Sequence, residues 1–173
     1  MPQIHNPNVT VREVHAEDAR ALAVLLNAII AKGGTTALQT PYTAEQLDEA
    51  YLTGPKVICC FVAVGKDGQI EGFQTLGRYP GLPDDVGDIG TFTRIDAKQQ
   101  GVGSTLFIAT RARATELGLS ALSATIRADN VGGLAFYTKL GFTDHNINHA
   151  VPLGDGTLAD RISKRFSLEG SVG

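Results

Sequence analysis

Lys98-Gln99-Gln100-Gly101-Val102-Gly103-Ser104-Thr105-Leu106-Phe107 stands between an extended, Thr-rich segment, Thr91-Phe92-Thr93, and a run with helical spacing. A turn that pours straight into a helix leaves the first backbone N–H groups without partners. Those donors, with the positive end of the helix dipole, make an anion site. Gly101 and Gly103 keep Cβ atoms away from a bulky phosphate. The first expectation is a site for a phosphate-bearing ligand. The plain alternative is a turn whose glycines only satisfy backbone geometry. Two familiar phosphate loops do not fit. The dinucleotide fingerprint needs a third glycine where Leu106 stands, and a P-loop needs a Gly-Lys-Ser/Thr ending that the chain lacks.

Downstream of the loop, Gly103, Leu106, Phe107, Thr110, Ala114 and Leu117 share one face of a helix over 101–118. Residues 120–127 alternate Leu122, Ala124 and Ile126 with Ala121, Ser123 and Thr125, the period of a strand. Asn130 fits the cap of a short helix over 131–140 that Gly141 ends. Gly154-Asp155-Gly156-Thr157 is a hairpin turn between strands around 147–153 and 158–168. Upstream, 88–95 reads as a strand bounded by turn residues. Strands at 57–64 and 70–77 join at Gly65-Lys66-Asp67-Gly68, and the unbroken apolar character of 57–64 predicts cover on both faces. Thr43-Ala44-Glu45-Gln46 matches a capping box and opens a helix to about Leu52. Ala19, Leu22, Ala23, Leu26, Ile29 and Ile30 form one stripe of a helix over 16–32, preceded by a strand at 9–14. This order predicts an α/β class (α+β by some schemes). One domain spans 1–173, with a single mixed sheet flanked by helices.

Composition narrows the partners. The 173 residues are 43% hydrophobic and 19% charged, which suits one ordinary core rather than a disordered chain. A net charge of −3 argues against nucleic acid as partner. No apolar run reaches about 18 residues, so no membrane span is expected. The polar first eight residues carry no secretory core, so a cytoplasmic location is expected. Adjacent Cys59 and Cys60 would point to opposite faces of a strand, which favours two reduced thiols over a disulfide. No His, Cys or acidic cluster has metal-ligand spacing, so no metal is expected.

The succession of strand, Lys98-x-x-Gly101-x-Gly103, amphipathic helix, strand, Asn130 and a helix ending Phe136-Tyr137-Thr138-Lys139-Leu140-Gly141-Phe142 resembles the GNAT N-acetyltransferase superfamily. The resemblance covers nearly the whole chain. That family's loop reads Arg/Gln-x-x-Gly-x-Gly/Ala, and its later half carries Asn and then Tyr-x-x-x-Gly-Phe. The 38–42 loop and the tail Asp155-Gly156-Thr157 … Asp160-Arg161-Ile162-Ser163-Lys164 look most like the phosphinothricin acetyltransferase-like branch. Two departures stand out: Lys98 replaces the usual Arg or Gln and lacks the planar fork of Arg, and Gln99 replaces a frequent Gly.

The resemblance implies a mostly antiparallel sheet, acetyl-CoA as co-substrate and N-acetyl transfer to a small-molecule primary amine. It implies that backbone groups of Thr91, Phe92 and Thr93 pair with the pantetheine arm like an added strand. It also implies a sheet that opens between that strand and 120–127. Lys98, Gln99, Gln100, Gly101, Val102, Gly103 and Ser104 would hold the pyrophosphate, with Asn130 beside the arm or acting as a helix cap, or both. Tyr137 would lie on the cofactor and protonate the departing thiolate; its plain reading is a partly buried aromatic. Many relatives carry a Glu on the strand before the loop, and here Asp88 is the acid in that vicinity. It is either the base, directly or through water, or a solvated loop carboxylate. His145 and His149 are further candidates. Thr36, Leu38, Tyr42, Phe73 and the C-terminal hairpin are expected to line the acceptor pocket, and the acidic net charge favours a small cationic or zwitterionic amine. A homodimer is possible on the same resemblance. A non-catalytic acyl-CoA-binding module and an unrelated nucleotide-binding protein are the competing classes.

Overall fold

The computed structural model describes residues 6–96 and 100–169, so Lys98 and Gln99 lie outside the described residues. The chain runs β1 (Val9–Glu13), a 3-10 turn (Ala16–Asp18), α1 (Ala19–Lys32), α2 (Ala44–Leu47), a π-helical turn (Asp48–Leu52), β2 (Val57–Gly65), β3 (Ile70–Gly77), β4 (Val86–Thr93), α3 (Val102–Glu116), β5 (Ala121–Arg127), α4 (Val131–Leu140), β6 (Thr143–Pro152) and β7 (Leu158–Ser167). The strands form one sheet in the order β1-β2-β3-β4-β5-β7-β6. Neighbours are antiparallel except β4 and β5, which run parallel.

That parallel pair is short. It joins Val86 to Ala121, Gly87 to Leu122 and Asp88 to Ser123, and then stops. Beyond that point β4 stays with β3 as far as Thr93, and β5 stays with β7 as far as Arg127. Each strand follows its antiparallel partner, so the sheet forks after Asp88 and Ser123.

Helices cover both faces. α1, α2 and the π turn bury Leu22, Leu26, Leu47, Val62 and Phe73 on one side. α3 and α4 bury Leu76, Phe107, Leu122, Phe142 and Phe166 on the other. Each such side chain contributes about 1.5–3 kcal/mol by leaving water. β2 is covered on both faces, as its apolar run predicts: Cys60 and Val62 belong to the first cluster, while Phe61 and Ala63 pack with Val102 and Leu106.

Four details depart from expectation. The Thr43–Gln46 capping box forms, with bonds of 3.0 and 3.1 Å. The helix it opens then widens into the π turn, where Asp48 O accepts from both Thr53 and Gly54 N–H. A Cβ at Gly54 would lie 1.7 Å from Glu49 O, so only glycine closes this turn. Leu117, expected on the buried face of α3, is 47% exposed; the helix stops at Glu116 and Leu119 takes the buried place. β4 begins at Val86 rather than Asp88 because Val86 and Gly87 find partners in β5. β6 begins at Thr143, well before Ile147. Its polar residues pair through the backbone with β7, and two bulges interrupt it.

Candidate active site

The fork opens into a cleft of about 1940 Å³. That exceeds the usual pocket for one small molecule and leaves room for two reactants. One wall is the N-terminus of α3. Its first ladder bond runs from Thr105 N–H to Gly101 O at 3.0 Å, so Val102, Gly103 and Ser104 N–H have no partner within the helix. Gly101 enters at φ 72, the left-handed region that glycine tolerates. Gly103 has a different reason to be glycine. A Cβ there would lie 2.8 Å from the ring of Phe136 on α4, so the residue lets two helices approach. The loop is also strapped from the other end of the chain. Asn6 donates its Nδ2 to Gln100 O (2.7 Å) and its backbone N–H to Thr105 Oγ1 (3.0 Å). Nothing in the sequence signals that strap.

Thr91, Phe92 and Thr93 lie on the part of β4 that has β3 on one side and the cleft on the other. Alternation along β4 sends Asp88 and Phe92 toward α1 and the π turn, and Thr91 toward α3 and α4. Thr91 Oγ1 lies 2.8 Å from the hydroxyl of Tyr137, which α4 presents from the opposite side. Tyr137 is 6% exposed. Burial pushes its phenol up; the Thr91 hydrogen bond works against that, and nearby Asp88 adds to the rise. Asp88 is half-buried, and its carboxylate has neither a hydrogen bond nor an ion pair among the described residues. Burial alone pushes its carboxyl up to about 6.

Asn130 caps α4, its Oδ1 accepting from Gly133 N–H at 2.9 Å. Its Nδ2 donates to Thr35 O (2.9 Å), and Arg127 donates to Thr36 O (3.2 Å). Both tie the loop after α1 to the fork. Thr36 and Leu38 line the cleft. Tyr42 packs edge-on against Tyr51 (ring centroids 5.8 Å apart), and Tyr51 faces the cleft. Phe73 does not line the pocket. It is fully buried in the core and stacks on Phe92 at 5.0 Å, so Phe92 forms the wall and Phe73 supports it from behind. The C-terminal hairpin contributes Asn146, Asn148, Arg161, Ser163 and Arg165. The Nε atoms of Arg161 and Arg165 are buried without partners among the described residues. His145 also borders the cleft, whereas His149 pairs with Asp160 at 3.2 Å. The cleft is therefore basic in a chain of negative net charge. Net charge averages over surfaces that a ligand in the cleft never meets, so the local and global charges differ in sign.

Sequence reasoning missed Tyr51 and the inward face of Arg161 and Arg165, which line the cleft. The alternation of Arg161, Ser163 and Arg165 was visible as a strand period, but the face it presents depends on pairing with β5.

Cys59 and Cys60 are free thiols and neither lines the cleft. Burial pushes Cys59 up to about 11 and Cys60 further. Among the described residues no group of three or more His, Cys, Asp or Glu is placed to hold a metal ion. No helix among them is long and apolar enough to cross a membrane.

Known proteins give the arrangement a context. No curated protein matches the sequence. Solved structures do match the fold. A phosphinothricin acetyltransferase from Sinorhizobium meliloti, solved in complex with AcCoA, superposes with a TM-score of 0.79 at 19% identity, covering 96% of this chain and 92% of that one. An N-acetyltransferase from Staphylococcus aureus Mu50 gives 0.79 at 19% identity, covering 94% and 99%. A ribosomal-protein-alanine N-acetyltransferase from Brucella melitensis gives 0.76 at 18% identity, covering 91% and 99%. The first and third share a scaffold but are named for different acceptors, so the fold alone does not choose the acceptor. The model of the acetyltransferase (GNAT) family matches residues 28–142, from within α1 to the end of the Tyr137–Phe142 motif. By that match the chain belongs to the GNAT acetyltransferase family, which uses acetyl-CoA as co-substrate.

Proposed function

We propose that the chain moves the acetyl group of acetyl-CoA to a primary amine of a small molecule by direct attack on the thioester. One observation carries this reading. Where β4 loses β5 as its neighbour, it offers a carboxylate without a partner among the described residues, Asp88, to one face and a tyrosine-bound hydroxyl, Thr91, to the other.

The pantetheine arm lies along the free edge of Thr91, Phe92 and Thr93, and the pyrophosphate sits on the loop from Lys98 to Ser104. Asn130 marks the edge of that groove. An alkylammonium has no lone pair, so the acceptor first gives a proton to Asp88, directly or through one water. A carboxyl raised to about 6 is still ionised at neutral pH and is a stronger base than an ordinary one. The amine nitrogen then bonds to the acetyl carbon, and the carbonyl electrons move to oxygen, where backbone N–H groups of the free edge stabilise them. As the carbon–sulfur bond breaks, Tyr137 protonates the leaving thiolate. Much of the acceleration comes from holding both reactants in register. Cys59 and Cys60 stand outside the cleft with raised thiols, which supports direct transfer over an acyl-enzyme.

The basic wall of Arg161 and Arg165 favours an acceptor that carries an anionic group besides its amine. Asp88 takes the amine end and the arginines the other. The test follows thiol release from acetyl-CoA across simple amines, zwitterionic amino acids, phosphinothricin and peptide N-termini. Turnover strongest with small zwitterions is the expected result. Tight coenzyme A binding without turnover of any amine would make the chain a binding module instead.

A further inference from the structure

Gln74 lies in the middle of β3, fully buried, and pairs in the sheet with Thr91. Its Nε2 donates to Thr91 Oγ1 at 3.0 Å, and Thr91 Oγ1 is 2.8 Å from the Tyr137 hydroxyl. Its other polar atom, Oε1, has no partner among the described residues. A buried carbonyl left unpaired costs stability. An apolar side chain of similar length would avoid that cost, so the amide needs a reason other than the fold.

An amide nitrogen can only donate. It therefore fills one lone pair of Thr91 Oγ1. With Thr91 accepting on that side, its own hydrogen is free for the phenol oxygen, an arrangement that leaves the phenol hydrogen for the cleft. An acceptor at position 74 would take the Thr91 hydrogen and oblige Tyr137 to donate into the protein. Hydrogen bonds in series also polarise one another, so the amide strengthens the bond that Thr91 makes.

Resting on the reading of Tyr137 as the acid, we propose that Gln74 is a positioning residue. It sets the direction of a Gln74–Thr91–Tyr137 chain in which Tyr137 donates outward and Thr91 donates to Tyr137. When the carbon–sulfur bond breaks, its electron pair goes to sulfur and sulfur takes the phenol proton. The phenol oxygen keeps the negative charge and receives the Thr91 hydrogen bond; solvent returns a proton after the thiol leaves. Burial makes this tyrosinate hard to form, and the Thr91 bond is the contact that opposes burial.

The experiment is a double-variant cycle of Gln74→Met and Tyr137→Phe, read as thiol release from acetyl-CoA with the amine that performs best in the panel. Tyr137→Phe alone is expected to lower kcat by about 10²-fold. Gln74→Met is expected to lower kcat about tenfold, the scale of one lost hydrogen bond. KM for acetyl-CoA should hold within twofold, and the melting temperature should be unchanged or higher. In the Tyr137→Phe background Gln74→Met should have no further effect. Equal loss in both backgrounds, unchanged kcat in Gln74→Met alone, or loss of kcat together with a lowered melting temperature overturns the role of Gln74 and leaves Tyr137 as the acid. No effect of Tyr137→Phe, or no turnover of any amine, overturns both. Should Gln74→Met fail to fold, Thr91 decides the matter. Thr91→Val should lose about tenfold in kcat and Thr91→Ser should restore it; the same loss in both overturns the proposal.

Discussion

The two sides of the β4 strand are built on opposite principles. On the α3 and α4 side most polar groups are engaged: Gln74 Nε2 on Thr91, Thr91 on Tyr137 and Asn130 on Gly133, with Gln74 Oε1 left without a partner among the described residues. Packing there is close enough that a methyl group at Gly103 would strike Phe136. On the α1 side, among the described residues, the important groups lack partners: the Asp88 carboxylate is bare, and Arg161 and Arg165 each hold a buried Nε with nothing on it. The first side is the more finished one, which under the proposed function suits a co-substrate that is always the same. The second keeps its hydrogen-bonding capacity open, as suits a site whose polar partner arrives with the acceptor.

Variants can break this contrast in order of size. Asp88→Asn should have the largest effect, lowering kcat/KM for the amine by about 10³-fold at neutral pH. A pH profile should show the wild-type rate rising through about pH 6 as Asp88 ionises, and that limb should vanish in the variant. Stability should move the other way. A carboxyl raised from 3.8 to about 6 gives stability that is fully present below pH 3.8 and lost as pH rises through about 6. Asp88→Asn should therefore unfold at a higher temperature than wild type at pH 8, with the gap closing toward pH 4; no pH dependence of the gap would show that Asp88 is well solvated.

Gly103→Val comes next and probes the finished side. Overpacking against Phe136 should cost roughly 1–3 kcal/mol. It should weaken acetyl-CoA binding whatever the acceptor, which thermal unfolding and calorimetry would register together. Arg165→Ala should act on the open side alone. It should raise KM about tenfold for amines bearing a carboxylate or phosphinate while sparing simple alkylamines. An equal rise for both kinds would remove the anion-reading role. The smallest effect belongs to Gly101→Ala, where a side chain at φ 72 costs about 1 kcal/mol and a melting shift of about 2–4 °C.

The same contrast explains what was legible in the sequence. The finished side is built from neighbours in the chain. Gly101 and Gly103 open a helix, and Asn130 and Tyr137 share another, so local spacing carries both the fold and the family. The open side is assembled from a π turn, a strand fork and a distant hairpin. Tyr51 enters the cleft because a helix widens, which no hydrophobic period announces. Phe73 and Phe92 are both aromatic residues on neighbouring strands, and only the packing of α1 decides which of them is covered. β6 carries almost no apolar signal, because it is held by backbone pairing with β7 and buries little. The contact of Gly103 with Phe136 is a second reason for that glycine, a matter of helix packing that a linear reading cannot see.

Under the proposed function, the wide turn at Asp48–Leu52 has a consequence for any attempt to change the acceptor. Gly54 has no room for a side chain, so the backbone that carries Tyr51 is fixed by the shape of the peptide itself and not by contacts that could be re-tuned. A loop with one permitted shape is a fixed fixture in the wall. Chemists wishing to retarget this protein would do better to exchange the side chain at Tyr51 than to remodel the turn beneath it, since the turn will return every replacement to the same spot.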